Sequence, residues 1–255
     1  EIIEIEEDLT PERLAAMEIL YQPERVIIEY NGMWLVSNFE KMQLPTGWGV
    51  EQQITCVDGS TFQMYMANMK SIFMDMIKNT DMVIFNRCKK EDPLPTYRRG
   101  IKVANQRAEV IFEDEEGELG DIFQDEMPFD MNAPVIEILP EDYGIWFVDA
   151  MDHPENYEGK TVKFKARVMK PRGMGSKFFV PGRTAMTCCA DDTTFLGYVC
   201  KSAYAPKLTP GEWVEVTAKV GIEKRNEYQG EEGIVLDAEH VEQCDPLEDE
   251  MVYFN

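Results

Sequence analysis

Asp81-Met82-Val83-Ile84-Phe85-Asn86-Arg87 is the stretch on which the fold turns. Four apolar residues, with an acid before them and two polar side chains after, read as a short strand buried on both faces. Runs of the same kind flank it, Gln53-Ile54-Thr55-Cys56-Val57 before and Ala108-Glu109-Val110-Ile111-Phe112 after. Between them, Phe62 to Asn79 carries apolar residues at helical spacing, and a second helix is predicted around Tyr97–Asn105. Further upstream, Arg25-Val26-Ile27-Ile28-Glu29 reads as another buried strand, and residues 1–8 alternate Ile with acids as a half-buried strand would. Thr10-Pro11-Glu12-Arg13 reads as a helix start, with a Thr cap and Pro in the first turn, and the helix runs to about Tyr21. Strands alternating with helices predict a parallel sheet with crossover helices, an α/β domain.

The acidic stretch Glu113–Gln124 breaks that rhythm, and Pro128 and Pro134 punctuate the residues after it. The expected organisation is an α/β domain over 1–116, an acidic linker over 117–133 and a second domain over 134–255. In the second, a helix is expected over Tyr143–Met151. Five short strands come next, with turn signals between them: Thr161–Val168, Lys177–Val180, Phe195–Val199, Trp213–Val220 and Gly233–Leu236. Five strands in so short a span predict a small OB-like β-barrel. The fold class is therefore α/β plus β.

A chain of 255 residues, 44% hydrophobic, can bury a core in each of two modest domains. Its 48 Asp+Glu against 25 Lys+Arg leave a net charge of −23. Such a surface repels phosphate backbones and anionic lipid headgroups, so nucleic acid and membrane surfaces are not expected partners, while divalent cations are favoured. No run approaches the ~20 apolar residues of a membrane-spanning helix. Residues 1–8 have neither the basic end nor the apolar run of a signal peptide. The absent initiator Met and the strand-like opening suggest that a preceding segment has been removed. Six cysteines (Cys56, Cys88, Cys188, Cys189, Cys200, Cys244) show no disulfide-scaffold spacing, so free thiols in a reducing cytoplasm are expected.

Three segments of the first domain stand in the order and spacing of a known pattern. Val26–Ile28 leads into Glu29-Tyr30-Asn31-Gly32, Ile54-Thr55-Cys56-Val57-Asp58 is followed by Phe62, and a helix leads into Asp81–Arg87. Together they resemble the CobW-type GTPases, relatives of the UreG and HypB metallocentre-assembly proteins, over roughly residues 1–115. Ala104-Asn105-Gln106-Arg107-Ala108 resembles that family's Leu-Asn-Pro-x-Ala. The resemblance implies the rear part of a P-loop-GTPase-like sheet, with GTP and Mg²⁺ as ligands. Glu29 would hold Mg²⁺ through water, and Gly32 would offer its N–H to the γ-phosphate. Asn86 would contact the guanine edge, with the stem of Arg87 along the base. Ligands of parallel α/β sheets sit at the carboxyl ends of strands, where Glu29 and Asn86 are expected. The bland readings are a helix-entry turn for Glu29–Gly32 and a polar strand end for Asn86.

The chain departs from the family pattern in two places. Where the family carries an Asp that accepts guanine N–H groups, this chain has Lys89, with Glu91 and Asp92 out of register. The family's Gly-x-x-x-x-Gly-Lys-[Ser/Thr] loop and its Cys-x-Cys-Cys motif are absent from the sequence. Phosphoryl transfer is mostly positioning and charge stabilisation, so hydrolysis of GTP by this chain alone is not expected.

The second domain resembles the soluble domain of the YcgQ-like permease-subunit family. The matching segments are Pro154–Val162, Arg183-Thr184-Ala185-Met186-Thr187-Cys188-Cys189-Ala190-Asp191, Gly211–Val216 and the closing Val252-Tyr253. That resemblance implies a link to metal homeostasis, zinc first. Soft thiolates suit Zn²⁺ or Cu(I), which makes Cys188, Cys189 and, beyond them, Cys200 the candidate ligands. Neighbouring residues on a strand point to opposite faces, so a chelate by adjacent cysteines needs a turn or bulge. One buried structural thiol beside one exposed thiol is the competing reading. His153 and His240 have no ligand spacing and are expected to be structural.

The leading expectation is part of a GTP-dependent metallochaperone whose barrel binds metal or a metalloprotein client or metal-transport component. The alternative is a non-enzymatic scaffold with a degenerate nucleotide fold. A third reading, thiol-redox chemistry at Cys188 and Cys189, needs basic neighbours, and the local sequence offers acids. Oligomeric state is not set by the sequence.

Overall fold

The computed structural model describes residues 1–120, 127–186 and 193–253. They form two compact units, one of residues 1–92 and 104–120, the other of 93–103 and 121–255. The helix expected over Tyr97–Asn105 thus divides from its flanking strands and groups with the second unit.

The first unit holds a three-stranded parallel sheet, β1 (Ile54–Asp58), β2 (Met82–Asn86) and β3 (Glu109–Phe112), in the order β1-β2-β3. The register sets Asp58 beside Asn86 and Phe85 beside Phe112. Burial alternates along β1 and β2. Val57, Val83, Phe85 and Phe112 are buried on one face, where Phe62 packs edge-on against Phe85 at 4.9 Å and against Phe73 at 5.1 Å. On the other face Ile54 is 47% exposed and Cys56 is exposed. The helix α1 (Pro11–Tyr21) begins as its sequence dictates: Thr10 Oγ1 accepts the Arg13 N–H at 3.2 Å, and Pro11 needs no partner for a missing N–H. A short α2 (Val36–Glu40) and the long α3 (Phe62–Ile77) complete the unit. Asn105 clasps it, donating to the carbonyls of Ile77 and Thr80, each at 2.8 Å, while its Oδ1 accepts the Arg107 N–H.

Two expected strands do not form. Residues 22–34 are irregular, with Ile27 90% exposed, and residues 1–8 contain only a 3₁₀ turn, with Ile2 and Ile5 exposed. An apolar run specifies a strand only where a neighbouring ladder accepts its backbone groups, and β1 forms no ladder with either segment. Exposed large apolar side chains concentrate in the first 64 residues, among them Ile19, Leu20, Val26, Val50 and Met64.

The second unit opens with α4 (Leu94–Ala104) and contains β4 (Ile136–Glu137), α5 (Tyr143–Asp152), β5 (Thr161–Met169), β6 (Phe178–Met186), β7 (Thr193–Gly197), β8 (Val199–Lys201), β9 (Trp213–Lys224), β10 (Glu232–Gln243) and β11 (Met251–Val252). Five of these close a ring in the order β5-β6-β8-β10-β9 and back to β5. The β8–β10 pair alone in that ring is parallel. Numbered along the chain, that is the order 1-2-3-5-4-1 of an OB-like barrel. Strict alternation along β5 sends Val162, Phe164, Ala166 and Val168 inward and Lys163, Lys165 and Arg167 outward. The helix α5 buries Tyr143, Trp146 and Phe147 into the same core: Trp146 packs on Phe164 at 4.8 Å and Phe147 stacks on Tyr198 at 4.8 Å. Gly182 faces Gly197 across β6–β7, because a Cβ at 182 would lie 2.3 Å from the Leu196 carbonyl.

Candidate functional site

The carboxyl ends of β1 and β2 carry two turns that lock together. Asp58 Oδ1 accepts the Ser60 N–H at 3.0 Å and the Ser60 hydroxyl at 2.6 Å, while its Oδ2 accepts Arg87. Hydrogen bonding from the Ser60 hydroxyl, the largest effect, holds the Asp58 carboxyl below its ordinary value; burial opposes it, and the hydrogen bond from Arg87 adds to the lowering. The Gly59 N–H donates to the Asn86 carbonyl at 2.8 Å. A Cβ at Gly59 would meet Cys88 Sγ at 2.8 Å, so glycine alone allows the turns to approach this closely. Arg87 adopts the left-handed region (φ 55°), and Cys88 turns inward and is buried. Burial pushes the Cys88 thiol up to about 11, which makes it an inert packing group at neutral pH.

Asn86 is half-buried at this rim, and its Oδ1 is enclosed with no hydrogen-bond partner among the described residues. Beyond it, the Lys89 N–H donates to Asp92 Oδ2 at 2.7 Å. The structure brings Asn86 and Arg87 to one rim, where the Arg87 guanidinium bonds to Asp58 and its side chain stays largely exposed. Asp58, read from the sequence only as a strand end, is a rim residue in its own right. The preceding apolar strand and following Gly were the signal for it.

Glu29 lies exposed on the irregular segment 22–34 and ends no strand. Gly32 follows an Asx turn in which Asn31 Oδ1 accepts the Met33 N–H at 2.9 Å, and its carbonyl accepts the Tyr65 hydroxyl at 3.2 Å. These contacts secure the turn against α3. Among the described residues Glu29 and Gly32 are not brought together into a cradle for phosphates and Mg²⁺, and no phosphoryl-transfer step is derived from them.

Cys188 and Cys189 lie outside the described residues. The described register of β6 with β7 ends at the pair Met186–Thr193, and both cysteines fall between those two positions in the sequence. Cys200 is placed elsewhere. It pairs with Phe179, which lies seven residues, about 23 Å at ~3.3 Å per residue, back along β6 from Met186. It is fully buried in the barrel core, and burial pushes its thiol far up. No group of three or more His, Cys, Asp or Glu side chains that could hold a metal occurs among the described residues. His153 stands 3.8 Å from Glu155 and His240 3.3 Å from Glu242, both at the surface.

A buried polar cluster in the second unit accounts for Arg183, the first residue of the Arg183–Asp191 segment. The Arg183 side chain, 2% exposed, donates to the carbonyls of Pro140, Asp249 and Met251 and lies over the Tyr143 ring, 5.6 Å from its centroid. It fastens β11 to the barrel. On α4 and α5, Asp152 meets Arg98 at 3.1 Å and Lys102 at 3.6 Å, and Asp149 accepts the Tyr157 hydroxyl at 2.6 Å. Arg98, Asp149, Asp152 and His153 border a cavity of about 30 Å³, room for a water rather than a substrate.

The barrel's residues, including the Arg183 motif, match a family model: the DUF1980 C-terminal domain, over residues 118–254, more than half of the chain. The chain belongs to that family. The match of this DUF1980 chain begins close to where its second unit resumes after the front sheet. No curated protein matches it. Two crystal structures of the mitochondrial single-stranded DNA binding protein Rim1 from S. cerevisiae are similar at 10% identity, over 34% of this chain and 97% of that chain, with a TM-score of 0.22. At that score the likeness says nothing of what the DUF1980 chain binds. Among the described residues no helix is long and apolar enough to cross a membrane.

Proposed function

We propose that the chain is part of a CobW-like, nucleotide-dependent metal-handling protein. Its α/β unit supplies the base side of a purine nucleotide site. Its barrel presents Cys188 and Cys189 to a metal, zinc first, on behalf of a metalloprotein client or metal-transport component. The observation that carries this reading is Asn86: a half-buried amide with an unpartnered oxygen, at the carboxyl end of the central strand of a parallel sheet. That is where ligands of such sheets bind. Support also comes from the exposed apolar residues of the first 64 positions and from the edge of β1, which pairs with no strand among the described residues; both suit contact with a further polypeptide segment.

The reading predicts that the chain binds Mg²⁺–nucleotide weakly, in the millimolar range of about 4 kcal/mol, and does not hydrolyse it. It also predicts about one equivalent of Zn²⁺ held through Cys188 and Cys189. Competition with a chromophoric chelator, on the wild type and on Cys188→Ser and Cys189→Ser, tests the metal half. Zinc that stays bound in both variants removes it.

A second reading, a scaffold with a degenerate nucleotide fold, is favoured by Glu29 standing on an irregular segment and by Arg87 being tied to Asp58. Under it, neither nucleotide binding nor an effect of Asn86→Ala is expected.

A further inference from the structure

We propose that Asn31-Gly32 is a self-modifying site, at which the chain deamidates to aspartate or isoaspartate without an enzyme. Asn31 is the one asparagine in the sequence that a glycine follows. The chemistry needs a backbone nitrogen to reach the side-chain amide of the residue before it, and glycine, having no Cβ, leaves that approach open. The Gly32 nitrogen gives its proton to solvent base and bonds to Asn31 Cγ. The Cγ–Nδ2 bond breaks, and Nδ2 departs as ammonia with a proton from water. One water then opens the succinimide ring at either carbonyl. The sum is amide plus water giving carboxylate plus ammonium, with nothing oxidised or reduced.

The turn favours this step in three ways. Both residues are exposed, on the irregular segment 22–34. The Gly32 N–H donates to no acceptor among the described residues, so its nitrogen is not held in a backbone hydrogen bond. Asn31 Oδ1 accepts the Met33 N–H at 2.9 Å, and that oxygen is the one that gains negative charge as the nitrogen adds to Cγ. Asp58-Gly59 is the other place where an Asn or Asp precedes glycine, and it is protected. There the Gly59 N–H is committed to the Asn86 carbonyl at 2.8 Å, and the carboxylate is engaged by Ser60 and Arg87. Conversion at 31 alters the turn itself. In isoaspartate the chain runs through Cβ and Cγ, one atom longer, and the Asn31 carbonyl that accepts the Trp34 N–H at 2.9 Å leaves the main chain. The turn that sets the Gly32 carbonyl against the Tyr65 hydroxyl then opens.

The full chain, aged in mildly alkaline buffer with and without urea, can be read by peptide mass mapping. Fragment ions separate residue 31 from Asn38, and labelling by isoaspartyl methyltransferase reports isoaspartate. In native protein residue 31 is expected to gain one mass unit and the methyl label at a rate no lower than in urea, while isoaspartate at residue 58 forms in urea alone. Gly32→Ala should lower the rate at residue 31 several-fold; its Cβ meets nothing closer than Met76 Cε at 3.8 Å, so the fold admits it. Hydrogen exchange at the Trp34 amide should be faster in the converted fraction. Asn31 that stays intact in native protein, or converts there several-fold more slowly than in urea, overturns the assignment. So does Gly32→Ala reacting as fast as the wild type, and unchanged Trp34 exchange overturns the opening of the turn.

Discussion

Arg87 bonds to Asp58 across the carboxyl ends of two neighbouring parallel strands, which makes its guanidinium part of the rim's frame. The pair has a consequence for acid stability. The folded Asp58 carboxyl titrates below its unfolded value, so its contribution is fully present above the ordinary carboxylate range and is lost as pH falls through the folded value. Side-chain carbonyl NMR across pH 2–6 should show Asp58 titrating low. Its midpoint should rise in Ser60→Ala and, by less, in Arg87→Ala. An Asp58 midpoint at the ordinary value, or one unmoved by Ser60→Ala, contradicts this account of the turn.

Arg183 is a structural fastener in the barrel. Arg183→Met keeps much of the volume but leaves the carbonyls of Pro140, Asp249 and Met251 without their donor. Urea unfolding followed through barrel tryptophan fluorescence should show a loss of about 2–3 kcal/mol. A change within about 0.5 kcal/mol, the range of ordinary surface substitutions, would mean that solvent replaces the bonds and the clamp is dispensable.

Asp152 stands between two cations on consecutive turns of α4, with all three side chains largely buried. Replacing it by Asn leaves Arg98 and Lys102 without that charge, a change that costs about 3 kcal/mol in buried pairs. Hydrogen exchange should report it as faster exchange of the α4 amides. Unchanged α4 protection would show that the apolar contacts of Leu94 and Ile101 hold the helix without the ion pairs.

The cysteines should divide sharply. In native protein at pH 8, iodoacetamide treatment and peptide mass mapping should find exposed Cys56 modified and Cys88 and Cys200, whose thiols are raised by burial, spared. Cys200→Ser should leave zinc stoichiometry unchanged, whereas Cys188→Ser should lower it. Rapid native alkylation of Cys200, or zinc lost on its replacement, contradicts this division.

The sequence carried the three parallel strands and most barrel strands, because β-branched apolar runs bounded by turn residues mark them. It misled at Val26–Ile28, where the apolar composition is strand-like but no ladder receives it. In β6 only Lys177–Val180 was legible. The strand continues through Pro181-Gly182-Arg183, residues with weak strand signals that are fixed by the β7 pairing and by carbonyls of distant segments. The parallel closure of β8 on β10 depends on tertiary pairing and leaves no local mark. At the rim, Asn86 was legible as a polar residue ending an apolar run. The Asp58–Arg87 bond was not, since it joins residues 29 positions apart.

The central claim is that nucleotide meets this chain at the Asn86 rim, and amide NMR titration tests it most directly. Adding Mg²⁺–nucleotide to several millimolar should shift the amides of residues 58–61 and 86–92 and leave those of β5 and β9 in place, with the shifts abolished in Asn86→Ala. Shifts confined to the barrel, or none anywhere, would contradict the account.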